Sequence, residues 1–327
     1  MRKITALLAG LAIAFSTQVV SAQTIKMAGQ YGYEADDTKD MQAFKKEIEK
    51  RTNGKIKVRL FPANQLGDYT QVYEELRRGS IEMALITVPS QFDKMLDLPY
   101  LPYLAKNWDD AKKTYSQDSE LFRMMAEANQ KLGVRLLAFQ PAAFGGLGLT
   151  KLPANGMQDP DASKGDVLVR VPPMEVFALP IEDNGFKTVS IPWADTYSAL
   201  QSGVANGWSG GSAILNYEAM RDVIKYYVPV NNWFDVRAWL ISDKTWQKLS
   251  PEERNSIQEL ATSYATQRMN ANQEVEKEFM KKLEQSGVKV VALSDADIQK
   301  YADQAYEKTW PRLEAIYGKD VLAKLKN

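Results

Sequence analysis

Between Thr24 and Thr87 the hydrophobic period changes from strand to helix and back, twice over, and that alternation points the chain towards an α/β fold. "TIKMAG" is a short apolar run. "DTKDMQAFKKEIEKRTNG" then places Met41, Phe44 and Ile48 at helical spacing and stops at Asn53-Gly54. "KIKVRLFP" alternates Ile56, Val58 and Leu60 with basic residues, and "DYTQVYEELRRGS" reads as a helix capped by Asp68 and ended by Gly79. "IEMALIT" closes the unit. A β-α-β-α-β order of this kind predicts a parallel sheet with right-handed crossovers.

The order recurs further on. "GVRLLAF", "KGDVLVRVP" and "KTVSIP" read as strands. "EVFALPIEDNG" reads as a helix interrupted by Pro180, and "WADTYSALQSG" as one with Tyr197 and Leu200 on one face. "PAAFGGLG" reads as a small-residue loop, and Gly210 and Gly211 of "NGWSGGS" as turn residues. Ser250-Pro251-Glu252-Glu253 is a strong helix start, and no breaker follows before Glu284, which suits a helix bridging two lobes. "VKVVALS" is a late strand before a helical end.

The amino terminus places two basic residues before an apolar run from Ile4 to Phe15, then Val20-Ser21-Ala22. This is the layout of a secretory signal peptide over 1–22, cleaved after Ala22, and the run is too short to span a bilayer. An exported, periplasmic protein without stable membrane insertion is expected. Removing Arg2 and Lys3 from 41 basic residues leaves 39 against 41 acidic ones, so nothing points to nucleic acid. The chain contains no histidine and no cysteine. A Ser-His-Asp triad, a histidine base and the usual zinc ligands are therefore excluded, and neither an enzyme nor a cofactor is expected.

Two α/β halves on an exported, histidine-free chain suggest a clamshell binding protein. In open α/β sheets ligands sit beyond the carboxyl ends of the strands. Those positions hold Gln30 and Tyr31, Thr87 and Ser90, Arg170 in "DVLVRVPP", Trp193, Trp208 and Gly210 in "NGWSGGS", and Trp233 in "VNNWFDVRAW". Each has a plain structural alternative. Arg170 suits either a solvent-facing strand residue paired with Asp166 or a fork holding a carboxylate or sulfonate. The tryptophans suit core packing as well as a ligand wall.

The pieces "FKKEIEKRTNGKIKVRLFPANQLGD", "YEELRRGSIEMAL", "LPYLPYL", "GDVLVRVPP", "WADTYSALQSGVANG" and "LSPEERNSIQELA" follow one another across nearly the whole mature chain. In this combination the chain resembles the periplasmic solute-binding proteins of TRAP transporters, the DctP-like family. The resemblance implies two α/β lobes joined by a hinge, with a long helix spanning both. It implies an organic acid held in the cleft and delivered to a TRAP membrane permease driven by an ion gradient. The arginine of its "RVP" motif, which clamps the acid group, falls on Arg170. The aromatic before the "YxAL" helix falls on Trp193, and the polar positions after the first and third strands fall on Gln30 and Thr87.

Two departures bear on the ligand. The slot of a frequent second arginine falls near Gly146, and "NGWSGGS" puts Gly210 where a contacting side chain often lies. With Trp208 and Trp233 nearby, a ligand with one acid group and a less polar remainder is expected, with a dicarboxylate or sugar acid as the alternative. A receptor for an ATP-driven importer would share the clamshell without these motifs. The expected partition is 23–146 plus 236–275 for lobe I and 147–235 plus 276–327 for lobe II.

Overall fold

The computed structural model describes residues 22–325. The expected signal peptide, apart from Ala22, lies outside the described residues. Strands β1 (Gln23–Gly29), β2 (Ile56–Phe61) and β3 (Met83–Ile86) form a parallel unit in the order β2-β1-β3. Helices α1 (Asp36–Arg51) and α2 (Tyr69–Arg78) make the crossovers. Helix α1 carries Asp36 and Asp37 in its first turn and Lys50 and Arg51 in its last, matching its dipole, and buries Met41, Phe44 and Ile48. Asp68 and Gln71 form a capping box at α2, and Gly79 ends it in the left-handed region at φ 79°. After α3 (Trp108–Thr114) and α4 (Glu120–Lys131) comes β4 (Val134–Leu149), a strand of 16 residues.

β4 belongs to both halves of the molecule. Its first part, to Phe144, pairs antiparallel with β9 (Phe234–Ser242), and β9 pairs antiparallel with β3. Its last part, Gly145–Leu149, pairs antiparallel with β7 (Gly207–Ser212). β5 (Lys164–Val171) and β6 (Phe186–Ser190) extend that second half, giving the continuous order β2-β1-β3-β9-β4-β7-β5-β6. β8 (Tyr226–Val228) also pairs with the end of β4, and β10 (Lys289–Val290) pairs with β8. The two halves of the sheet, each flanked by helices, are the two lobes, and β4 slips register between Pro141 and Phe144 where it passes from one to the other.

Two segments expected as loops are strands. "PAAFGGLG" continues β4 and "NGWSGGS" is β7. Neither alternates in hydrophobicity, because bulky neighbours press directly on the backbone. A Cβ on Gly145 would fall inside the Trp233 indole, and one on Gly211 inside the Trp208 ring. The late strand is shorter than "VKVVALS", covering only Lys289 and Val290.

In lobe II, α5 (Glu175–Asp183) accommodates Pro180 internally and α6 (Trp193–Gln201) follows β6. Short helices α7 (Ala213–Leu215) and α8 (Asp243–Trp246) precede α9 (Pro251–Gln285), which runs for 35 residues from a Ser250/Glu253 capping box. Ile257, Leu260, Ala261 and Ala265 of α9 bury into the lobe I core beside Ile25, Phe44 and Trp239. Phe279 and Leu283 pack into the core that includes Leu147, Tyr227 and Val288. Between them Asn272 donates to the carbonyls of Pro141 and Ala142, at 3.0 and 2.8 Å, pinning α9 over the β4 crossing. The closing helices α10 (Asp295–Gln304), α11 (Trp310–Tyr317) and α12 (Lys319–Ala323) touch both halves. Tyr317 donates to Asp97 and Trp310 to the Pro102 carbonyl, while Arg312 pairs with Asp183 at the end of α5.

Candidate ligand-binding site

Arg170, next to last in β5, is 2% exposed and turned away from solvent. Its Nε donates to the Ile191 carbonyl at 2.8 Å, while one terminal guanidinium nitrogen has no hydrogen-bond partner. Asp166 is not its partner; that exposed carboxylate accepts from the Ala154 amide at 3.3 Å. Among the described residues no carboxylate lies within ion-pair distance of Arg170. Burial lowers its pKa to about 10, against smaller opposing effects of Tyr69, Asp68 and Tyr31, so it stays charged at neutral pH. An unpaired buried guanidinium is costly unless an anion arrives to meet it.

Arg170 lines a small cavity between the lobes, of about 30 Å³, with Gln30, Tyr31, Tyr69, Thr87 and Tyr100 on the lobe I side, together with Asp235, the residue at the expected lobe boundary, which stands in β9 beside β3. Lobe II supplies Arg170, Pro172, Phe177, Trp193, Trp208, Gly210 and Leu215. This is room for about two water molecules, so a ligand of more than a few atoms needs the lobes to part. A wider opening of about 500 Å³ adjoins it and shares Gln30, Tyr31, Trp193 and Leu215. A surface groove of about 380 Å³ between α3, β4 and α9 is larger than the cavity but shares no lining residue with it.

Aromatic rings make most of the wall. Trp193 stands edge-on to Tyr31 at 5.5 Å and leans on Trp208 at 5.6 Å, and Tyr100 packs on Phe177 at 5.2 Å. The Trp193 indole donates to the Gln30 carbonyl at 3.4 Å, across the cleft. Polar capacity is largely spent. Gln30 Oε1 accepts from the Thr87 amide at 2.6 Å and its Nε2 donates to Thr87 Oγ1 at 3.1 Å. The Trp208 indole donates to Asn216 at 2.9 Å. The Tyr69 hydroxyl is buried without a partner, and burial raises its pKa.

Of the residues singled out in the sequence, Gln30, Tyr31, Thr87, Arg170, Trp193, Trp208 and Gly210 line this one cavity. Ser90 stands outside it, hydrogen-bonded to Asp97. Trp233 packs behind it, 5.2 Å from Phe177 and against Gly145. The sequence reading passed over Tyr69, Tyr100, Phe177 and Asp235. The signal for Asp235 was present: "FDVRAW" sets two charges two residues apart in an apolar strand, so both lie on one face. Asp235 is 6% exposed, and Arg237 beside it is held by Asp37 through bonds of 2.6 and 3.1 Å. Burial raises the Asp235 pKa, opposed chiefly by Arg237.

Both lobes also close each other's helices. Asp68 caps α2 and, with its other oxygen, accepts from the Ala194 amide at the start of α6 at 3.2 Å. Glu218, after α7, accepts from the Asp36 amide at the start of α1 at 3.3 Å. Neither α1 nor α6 has a side-chain cap of its own. Among the described residues no cluster of three or more acidic groups could hold a metal, and no helix is long and apolar enough to cross a membrane.

Comparison with known proteins agrees with this architecture. The family model "Bacterial extracellular solute-binding protein, family 7" (DctP) matches residues 33–315. The sialic acid-binding periplasmic protein SiaP of Vibrio cholerae is 22% identical, covering 99% of this chain and 98% of its own. A TRAP periplasmic solute-binding protein of Haemophilus influenzae, solved with bound L-gulonate, superposes with a TM-score of 0.81 at 25% identity, covering 93% of this chain and 98% of that one. Another, from Ralstonia eutropha with bound (S)-2-acetolactate, gives 0.83 at 21% identity, covering 93% and 97%. Such proteins are two-lobed solute receptors rather than enzymes. With its lobes, its spanning helix and its buried arginine, this chain belongs to family 7 of the bacterial extracellular solute-binding proteins, the receptors of TRAP transporters.

Proposed function

We propose that the protein captures a small organic acid, with a single carboxylate or sulfonate and a weakly polar remainder, and hands it to the TRAP permease in the periplasm. One observation carries this reading: a buried Arg170 guanidinium with an unpaired nitrogen in a cavity shared by both lobes. The acid group fills that vacancy as a charge-assisted hydrogen-bond acceptor, with the Tyr69 hydroxyl as a second donor. The remainder lies against Trp193, Trp208, Tyr100 and Phe177. Contacts to both lobes are what make binding favour the closed form.

Relatives that bind gulonate suggest a sugar acid instead. The lining argues against it, since Gln30 and Thr87 satisfy each other and few donors or acceptors remain for a row of hydroxyls. Native mass spectrometry of protein purified from its host, followed by calorimetry with the acid recovered, tests the reading. An unchanged small monoacid supports it; a polyhydroxylated acid, or chemical turnover, replaces it.

A further inference from the structure

Two charged residues line the cavity, and only one of them suits an acid. Arg170 supplies a positive charge without a carboxylate partner. The other charged residue in the lining is Asp235, buried, with the Ser212 amide and the Arg237 guanidinium as its partners. Its nearest cation is Arg237, 3.1 Å away, but that guanidinium already grips Asp37 with Nε and a terminal nitrogen. One guanidinium thus serves two carboxyls, and with both ionised the buried trio of Asp37, Asp235 and Arg237 carries one surplus negative charge.

Tyr31 lines the cavity together with both charges. Arg170 is influenced by Tyr69, Asp68 and Tyr31, and Asp235 by Arg237 and Asp37, while Tyr31 feels both Asp235 and Arg237. Arg237 also lies over the Tyr31 ring, 5.1 Å from its centre. A simple anion would neutralise Arg170 and leave the surplus at Asp235 uncompensated in a closed, dry site. A ligand carrying a cation at its far end would answer both.

We propose that the ligand is a small zwitterion, its acid group on Arg170 and an ammonium group, separated from it by a short chain, on Asp235. This rests on the acid-receptor reading of the same site and names the class of acid.

The test is calorimetry on ligand-stripped full-length mature protein, using straight-chain acids in matched triplets. Each triplet has one acid end, carboxylate or sulfonate, one chain length from two to five methylenes, and an ammonium, hydroxyl or methyl at the other end. We expect an ammonium member to bind at least tenfold more tightly than its hydroxyl and methyl partners. Asp235→Asn should erase that preference, and a preference that survives the change overturns Asp235 as the ammonium partner. A methyl- or hydroxyl-ended acid binding as well as or better than its amine overturns the zwitterion and leaves the acid receptor standing. Binding by none of the series, or Arg170→Ala binding as tightly as the natural protein, overturns the receptor reading itself. The wild-type comparison needs no variant, so a misfolded Asp235→Asn does not decide the outcome.

Discussion

Glu218 in lobe II and Asp36 in lobe I meet across the cleft: the Asp36 amide, first in α1, donates to the Glu218 carboxylate at 3.3 Å. The helix thus borrows its cap from the opposite lobe. Asp68 returns the arrangement by capping α6. Opening the cleft uncaps both helices, so each contact counts towards closure only when the lobes are together.

Closure should be sensitive to pH through this contact. Burial, and then the charges of Asp36 and Asp37, push Glu218 up to about 7, with the Asp36 amide and Arg237 opposing. Arg268, paired with Asp36 and Asp40, also faces the site. In an open form the carboxyl returns towards an ordinary pKa of about 4.3. Closing therefore takes up a proton, is favoured below about 7, and loses that advantage as pH rises through it. We expect affinity to rise as pH falls from 8 to 6, and Glu218→Gln to flatten the profile. Calorimetry at both pH values checks this.

Asp68→Ala removes caps from two helices at once. A lost cap costs about 1 kcal/mol. We expect a lower melting temperature from α2 alone, and a further several-fold loss of ligand affinity from α6. Asp68→Asn leaves one acceptor oxygen for two amides, so it should recover one of the two losses and not both.

Arg170→Ala should lower affinity by about a hundredfold or more, since an unpaired buried charge is worth roughly 3–5 kcal/mol. Without ligand the sign reverses. Arg170→Met removes an uncompensated guanidinium from an aromatic pocket, so the unliganded protein should melt no lower than the natural one, and higher if the methionine packs well. Thermal melts with and without ligand separate the two effects.

Glu276 on α9 is buried where β4 changes lobes, with the Trp108 indole and the Phe144 amide donating to its carboxyl. Burial raises its pKa to about 8. The folded state thus favours the protonated form, and stability should decline as pH rises from the ordinary carboxyl range through 8. Glu276→Gln should remove that decline, as read from melting temperatures between pH 6 and 9.

Gly145→Ala places a methyl inside the Trp233 indole, with core packing on every side. A loss of about 1–3 kcal/mol or more is expected. Gly203→Ala serves as the control: nothing lies within 4 Å of the added carbon there, so its cost is only that of a φ of +77°.

The parallel unit of lobe I was legible because its strands and helices differ in period, and because Asp68, Gly79 and Ser250 mark helix ends chemically. β7 and the end of β4 were not, since glycines there answer to Trp208 and Trp233, which arrive from elsewhere in the chain. In the site, Arg170 stood out as a charge in an apolar strand. Asp235 had the same pattern but followed a stretch, "VPVNNW", that reads as irregular. Tyr69, Tyr100 and Phe177 carry no local mark, because only the closing of one lobe on the other brings them to a common surface.

The strand shared by the lobes has a further consequence. Side chains along it point alternately to opposite faces, so adding or deleting one residue within Pro141–Phe144 would turn Gly145–Leu149 over. Leu147 and Leu149 would leave the core, and the gap that admits the Trp233 ring would be lost. Point substitutions there can be absorbed by repacking, but the number of residues cannot drift, and insertions should be lethal to folding in that short crossing while surface loops tolerate them.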